Sequence, residues 1–230
     1  MTLTVCGLLG SPFYRKIITQ LNEKNIEFET EMLNPFKAGD DFTAVNPARR
    51  IPLLKDSDNG DDWILPDSSA IFHYIERKIP EPSLLPVNTA DYGRALWLEE
   101  YADSVLASTF GLGVFRRIVF PQMQGKEPEI DAALEVVRSK LPDINDYVEA
   151  AIGNNDWFAG PDFSVADISI AVQYANLAFA GYVPSANRWP NLIAFMRRIG
   201  ARDSFAAPHM KAAAAFAEMQ KLTVDPEDNL

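Results

Sequence analysis

The sequence predicts an α/β domain followed by a larger all-helical domain, and three observations carry that reading. The first 78 residues alternate short β-rich runs with helical patterns in the order β-α-β, a loop-rich segment, then β-β-α. The stretch "IPEPSLLPVN" at 79–88 carries three prolines and closes that region. Beyond it the apolar residues recur at helical spacing, and no convincing strand follows. The expected division is 1–80 for the α/β domain, 81–88 for the linker and 89–230 for the helical domain.

Each element has a local cause. "TLTVCG" at 2–7 is β-rich and bounded by glycine, which reads as a strand. From Ser11 the pattern changes, and Phe13, Ile17, Ile18 and Leu21 recur at helical spacing to about Lys24. "IEFETEML" alternates apolar and acidic residues as a half-buried strand does. "IPLLKD" and "DWILP" are short apolar runs joined by "SDNGD", a turn-rich connection that predicts a hairpin. "DSSAIFHYIERK" opens on a capping residue and continues as a helix.

In the second half, Tyr92, Leu96, Tyr101 and Val105 mark an aromatic-rich helix over 91–115. A helix over about 128–152 is expected to kink or break at Pro142. "SVADISIAVQYANLAFA" has no polar face, which predicts a central, buried helix. "WPNLIAFMRRIGA" and the Ala-rich "PHMKAAAAFAEMQ" are further helices, and "VDPEDNL" is expected to fray.

Composition excludes several classes of function. Acidic residues number 32 against 21 basic ones, a formal charge of −11, and this field repels phosphate backbones and anionic lipid. Nucleic acid and membrane surfaces are therefore not expected partners. An anionic small ligand would need a local basic pocket. One cysteine excludes an internal disulfide framework and multi-Cys metal motifs. Two histidines, His73 and His209, are too few and too far apart for the usual zinc sites, so no metal is expected. The opening "MTLTVCGLLGSPFY" lacks a basic n-region and a long apolar run, so a signal peptide is not expected. No stretch reaches the length of a membrane span, and a cytoplasmic setting is the expectation.

Three short motifs each admit a plain and a chemical reading. In "SPFY", Ser11 suits an N-cap and Pro12 the first helical position. The same place faces free N–H groups and the positive end of the helix dipole, which favour an anion such as a thiolate. Thioredoxin-fold redox proteins carry Cys-Pro-x-Cys at such a junction. Here Ser11 and Tyr14 stand in the cysteine positions, which removes dithiol chemistry and keeps a hydroxyl donor. In "NPARRIPLL", Pro52 either starts a strand or follows a cis bond that turns the Ile51 backbone toward a ligand. In "LPDSSAI", Asp67 and Ser68 either cap a helix or hold an amino acid, Asp67 its ammonium and Ser68 with the backbone its carboxylate.

The remaining candidates read as structural. "FSVAD" is a capping box, with Ser164 as N-cap and Asp167 at N3. Cys6 in mid-strand reads as a buried, inert thiol, and His73 as a packed or surface residue. "GLGVFR" at 111–116 imitates a dinucleotide fingerprint but has Arg116 at its third glycine and follows no strand.

Taken together, these motifs resemble the cytosolic glutathione transferases over nearly the whole chain. The resemblance is carried by the Ser at the first strand–helix junction, "NPARRIPLL", "PDSSAI", the proline-rich linker and "FAGPDFSVADISIA". It implies a thioredoxin-like N-terminal domain, an all-helical C-terminal domain and a homodimer. It implies that Ser11 hydrogen-bonds the glutathione sulfur, with Phe13 beside it. Lys37 and Arg50 would contact the glycine carboxylate, and the Ile51 backbone with Pro52 the cysteinyl unit. Asp67 and Ser68 would hold the γ-glutamyl end, and Asp103 in "EEYADS" would reach across the dimer. Arg49 departs from the family pattern, which has glycine there.

The implied chemistry is attack of the glutathione thiolate on a hydrophobic electrophile, detoxification being the broad role. The electrophile is expected against Tyr101, Phe110 and Phe115. A glutathione-dependent isomerase, dehalogenase or peroxidase on the same site is the alternative enzyme. A stress or scaffold protein that binds glutathione without turnover is the alternative outside catalysis.

Overall fold

The computed structural model describes residues 2–60 and 62–224. The expected frayed tail lies, apart from Val224, outside the described residues, as does Asp61 of the hairpin connection. The chain divides into two compact units, Met1–Leu84 and Leu85–Leu230.

The first unit is a four-stranded sheet in the order β2-β1-β3-β4 with helices packed on it. Its elements are β1 (Leu3–Gly7), α1 (Pro12–Glu23), β2 (Glu29–Met32), α2 (Asp40–Val45), β3 (Leu53–Asp56), β4 (Ile64–Pro66) and α3 (Ser68–Lys78). β1 pairs parallel with β2 and antiparallel with β3, and β3 pairs antiparallel with β4. This is the thioredoxin-like arrangement. Leu3, Val5 and Cys6 on β1 and Leu53 and Leu54 on β3 are buried, so the sheet's centre is also the unit's core. Burial keeps the Cys6 thiol protonated by pushing its pKa up to about 11. Gly7 closes β1 because the Tyr14 ring occupies the space a Cβ would need.

Three expectations for this unit change. The strand is shorter than the run 26–33: only Glu29–Met32 form it, and all four residues are exposed, while Ile26, Phe28 and Leu33 outside it are half-buried. β2 is an edge strand, and its acidic residues face solvent, Glu31 pairing with Lys55 at 2.6 Å. The loop-rich segment contains the short helix α2, which buries no residue. The β3–β4 link is longer than a tight turn and begins with a 3-10 turn at Ser57–Asn59. Asp56 anchors that turn by accepting from the Tyr74 hydroxyl at 2.5 Å and from the Asp58 N–H at 3.0 Å.

The second unit is all-helical among its described residues: α4 (Thr89–Tyr101), a π-helical stretch (Ala102–Phe115), α5 (Arg116–Met123), α6 (Ile130–Ile152), α7 (Val165–Ala180), α8 (Pro190–Gly200) and α9 (Asp203–Ala215). α7 is central, packed against the π-helical stretch, α4 and α8, and every residue but Ala178 is buried. Its capping box is formed as expected: the Asp167 carboxylate accepts from the Ser164 N–H at 2.8 Å and the Phe158 N–H at 2.9 Å. Burial pushes the Asp167 carboxyl up to about 6.

The expected single helix over 91–115 is instead α4 and the wider-wound stretch, where the Arg116 N–H reaches back to the Gly111 carbonyl. Of the kink or break expected at Pro142, the break does not occur. α6 runs continuously through it because Ala133, Val137, Leu141, Asn145, Val148 and Ile152 hold one buried face along its length. No described helix is long and apolar enough to cross a membrane.

Candidate functional site

The strand register gathers the predicted N-terminal residues at one end of the sheet. Cys6 near the end of β1 opposes Leu53 at the start of β3, and Leu53 opposes Pro66 at the end of β4. The loops leaving β1 and β4 therefore emerge at the same end of the sheet, on either side of the start of β3, and each opens directly into a helix N-terminus. Pro52 lies immediately before Leu53 at the same edge. Two helix N-termini, each the positive end of its helix dipole, thus share one edge, the arrangement that attracts negative charge.

Ser11 is the N-cap of α1, with Pro12 at the first helical position. Its Oγ accepts from the Tyr14 N–H at 3.3 Å, and its own N–H donates to the Leu8 carbonyl at 2.9 Å. A hydroxyl has one proton to give as well as lone pairs, and capping uses only a lone pair. Cap and donor are therefore compatible roles. Phe13 beside it is half-buried.

Arg15, one turn further on, is fully buried and donates from Nη1 to the Leu9 carbonyl at 2.5 Å, which fixes the loop that carries Ser11. Burial lowers its pKa to about 9, so the guanidinium keeps its charge at neutral pH.

Asp67 is the N-cap of α3, its Oδ1 accepting from the Ser69 N–H at 2.9 Å and the Ala70 N–H at 3.1 Å. Its φ of 80° is costly for a residue with a side chain, and such strain persists where the surroundings over-determine it. Ser68 beside it is buried, whereas Asp67 is exposed. The Ile51–Pro52 bond is cis, and β3 pairing begins only at Leu53, so Ile51 stands outside the ladder. Lys37 and Arg50 are both exposed, on the segments before and after α2.

Tyr101, Asp103, Phe110 and Phe115 belong to the second unit. Tyr101 is half-buried against Tyr147, with ring centroids 4.7 Å apart, and Asp103 is half-buried in the first turn of the π-helical stretch. The expectation that Phe110 and Phe115 line a substrate pocket is corrected. Phe110 is wholly buried edge-on to Tyr174, and Phe115 is buried against Phe120 and Phe216. Their rings are core.

Sequence reasoning missed a buried polar ladder between α1 and α3. Lys16 Nζ reaches Ser69 Oγ at 3.3 Å, Gln20 Nε2 reaches the Phe72 carbonyl at 2.8 Å and Glu76 at 3.0 Å, and Lys24 pairs with Glu76 at 3.1 Å. The available signal was the i, i+4, i+8 stripe of Lys16, Gln20 and Lys24 along α1. Among the described residues no cluster of three or more His, Cys, Asp or Glu is placed to hold a metal ion.

Comparison with known proteins decides the family. The glutathione S-transferase N-terminal domain matches residues 5–83, and the C-terminal domain of the same family matches 131–198. Glutathione S-transferase 3 of Zea mays is 31% identical over 175 residues, covering 74% of this chain and 76% of that protein. The chain belongs to the glutathione S-transferase family. The uncharacterized GST-like protein YibF of Escherichia coli K12 is 28% identical over 208 residues, covering 89% of this chain and 96% of that protein. In fold, a glutathione S-transferase from Rhodospirillum rubrum F11 superposes with a TM-score of 0.80 at 24% identity, covering 90% of this chain and 91% of the other. Glutathione is the family's thiol substrate, and both of the family's domains are present in the chain.

Proposed function

We propose that this protein is a glutathione transferase in which Ser11 stabilises the glutathione thiolate for attack on a hydrophobic electrophile. The observation that carries the reading is the Ser11 hydroxyl at the N-terminus of α1, its proton still available, at the sheet edge it shares with the N-terminus of α3.

A free thiol has a pKa of about 8.5, and lowering it by two units requires roughly 2.7 kcal/mol. One hydrogen bond to a charged group contributes about 1.5–3 kcal/mol and a helix dipole about 0.3–1. The two together are sufficient, and no general base is required. The thiol proton passes to solvent. The thiolate's electron pair forms the new carbon–sulfur bond, and the leaving group departs with the pair from the bond that breaks.

In this reading the Ile51 backbone pairs with the cysteinyl unit, and Pro52 and Phe13 shape the pocket. Ser68, through its hydroxyl and its N–H, holds the γ-glutamyl carboxylate, and Asp67 meets its ammonium. Asp67's capping role engages Oδ1, which leaves Oδ2 to face the ligand. Lys37 and Arg50 hold the glycine carboxylate and supply local positive charge against the −11 background. The protein works as a homodimer, with Asp103 of one subunit assisting the other's site.

The test is retention on immobilised glutathione, followed by turnover of an aryl halide by wild type and Ser11→Ala. Binding with Ser11-dependent turnover supports the reading. Binding without turnover on any electrophile assigns the site to recognition alone, and failure to bind overturns it.

A further inference from the structure

Arg49 stands where the family pattern has glycine, and the structure gives both a reason for glycine and a use for arginine. The turn from Asn46 to Arg49 closes with the Arg49 N–H donating to the Asn46 carbonyl at 2.9 Å, and Arg49 takes a φ of 51°. That left-handed conformation disfavours any residue with a Cβ. Asn46, nearly fully buried, holds the turn from inside, its Nδ2 donating to the Arg50 carbonyl.

The Arg49 side chain then reaches back over α2. Its Nη2 donates to the carbonyls of Pro35, at 2.9 Å, and Ala38, at 2.7 Å. Its Nη1 donates to Thr43 Oγ1, and the guanidinium lies 5.6 Å from the centre of the Phe42 ring. The two carbonyls it grips flank Lys37. The residue that grips them is the immediate neighbour of Arg50. One guanidinium thus binds together the two chain segments that carry the basic pair, although Lys37 and Arg50 are 13 positions apart. A planar fork with several donors suits this task, and a lysine ammonium does not.

We infer that Arg49 is a positioning residue for the glycine end of glutathione. Its clamp holds Lys37 and Arg50 at a fixed separation before the ligand arrives, so that both cations meet one carboxylate without first ordering a loop. The inference rests on the proposed carboxylate role of Lys37 and Arg50. Its own claim is that this chain recognises the glycine end through a pre-tied loop.

The test compares glutathione with γ-glutamylcysteine, which lacks the glycine, by calorimetric titration of the full-length protein. Two variants are used. Arg49→Gly keeps the backbone conformation and removes the clamp, and Arg49→Lys keeps the charge and removes the fork. Wild type is expected to prefer glutathione. Both variants are expected to weaken glutathione binding about tenfold, the scale of one charge-assisted hydrogen bond, and to leave γ-glutamylcysteine unchanged. In steady state the KM for glutathione rises while kcat holds.

Unaltered preference in both variants, or equal weakening of both ligands, overturns the Arg49 assignment alone. A wild type that does not distinguish the two ligands overturns the carboxylate role of Lys37 and Arg50, and the Arg49 assignment falls with it.

Discussion

Lys16 on α1 reaches Ser69 on α3 at 3.3 Å, and so one buried lysine ties the helix capped by Ser11 to the helix capped by Asp67. The contact is the first rung of a ladder. Gln20 follows one turn on, and Lys24 closes it by donating to Glu76 and to the carbonyls of Ile79, at 2.8 Å, and Pro82, at 2.6 Å. Glu76 also accepts the Leu84 N–H at 3.0 Å, so the ladder fixes the end of the first unit as well as its two helices.

Breaking this ladder costs stability through the charge left behind. Lys24 and Glu76 are buried as a pair, with side chains 0% and 4% exposed. Glu76→Ala is expected to lower unfolding stability by about 3–5 kcal/mol, because it strands the Lys24 ammonium. The double change Lys24→Met, Glu76→Leu is expected to recover part of that loss, because the stranded charge is gone while the Leu84 N–H and the Ile79 and Pro82 carbonyls lose their partners. Urea denaturation of the three proteins checks it. Equal destabilisation by the single and double variants would contradict the argument from stranded charge.

Ser11→Ala separates the cap from the donor. Loss of the bond from the Tyr14 N–H is expected to cost about 0.5–2 kcal/mol of stability, the usual effect of removing an N-cap. Loss of the hydroxyl donor is expected to lower turnover at neutral pH roughly 10- to 1000-fold and to move the pH–rate profile alkaline, with glutathione affinity little changed. Kinetics from about pH 6 to 9, a range that brackets the free thiol value, measure the second effect, and urea denaturation measures the first. A variant less stable but equally active at every pH would leave Ser11 as a cap only.

The parts of the fold legible in sequence were those set by local rules. Pro12 after Ser11, the Ser164–Asp167 box and the unbroken apolar run of α7 each dictate an element almost alone. The rest required tertiary context. The alternation in 26–33 predicts a buried face only if a partner covers it, and β2 lies at the sheet's edge. Pro142 breaks an isolated helix, yet α6 has a buried face long enough to carry it. Phe110 and Phe115 show the same limit at the site, since a large aromatic in a helix reads identically whether it lines a pocket or fills the core. Arg49 was visible as a departure from the family pattern, but its grip on Pro35 and Ala38 depends on the path of the loop.

Asp103 is expected to act only in the dimer. A twofold interface is isologous, so each subunit would lend its Asp103 to the other, and every defect would count twice. Dilution to monomer should then weaken glutathione binding. Asp103→Ala should weaken it at high concentration without dissociating the dimer. Light scattering over a dilution series, paired with calorimetric titration, reads both. A monomer that binds glutathione as tightly as the concentrated protein removes Asp103 from the site.

Asp167 sets an expected pH dependence of stability. Burial raises its native pKa from an ordinary 3.8 to about 6, even though the carboxylate accepts N–H groups from Phe158 and Ser164. A carboxyl with a raised native pKa binds its proton more tightly when folded. Its contribution is therefore fully present below the unfolded pKa and is lost as pH rises through the native one. The window runs from about pH 4 to pH 6, and a two-unit shift sets the loss at roughly 3 kcal/mol at most. The carboxyls held below their ordinary range, Asp56, Asp146 and Glu31, act in the opposite sense, and their contribution is present above 3.8 to 4.5 and fades as pH falls below it. The comparison must therefore be differential. Asp167→Asn cannot ionise, so its stability relative to wild type should improve as pH rises from about 4 to 7. Denaturant midpoints for both proteins at four or more pH values across that range test the sign. A constant difference between them would mean that Asp167 stays ionised throughout, and that the N–H groups of Phe158 and Ser164 outweigh its burial.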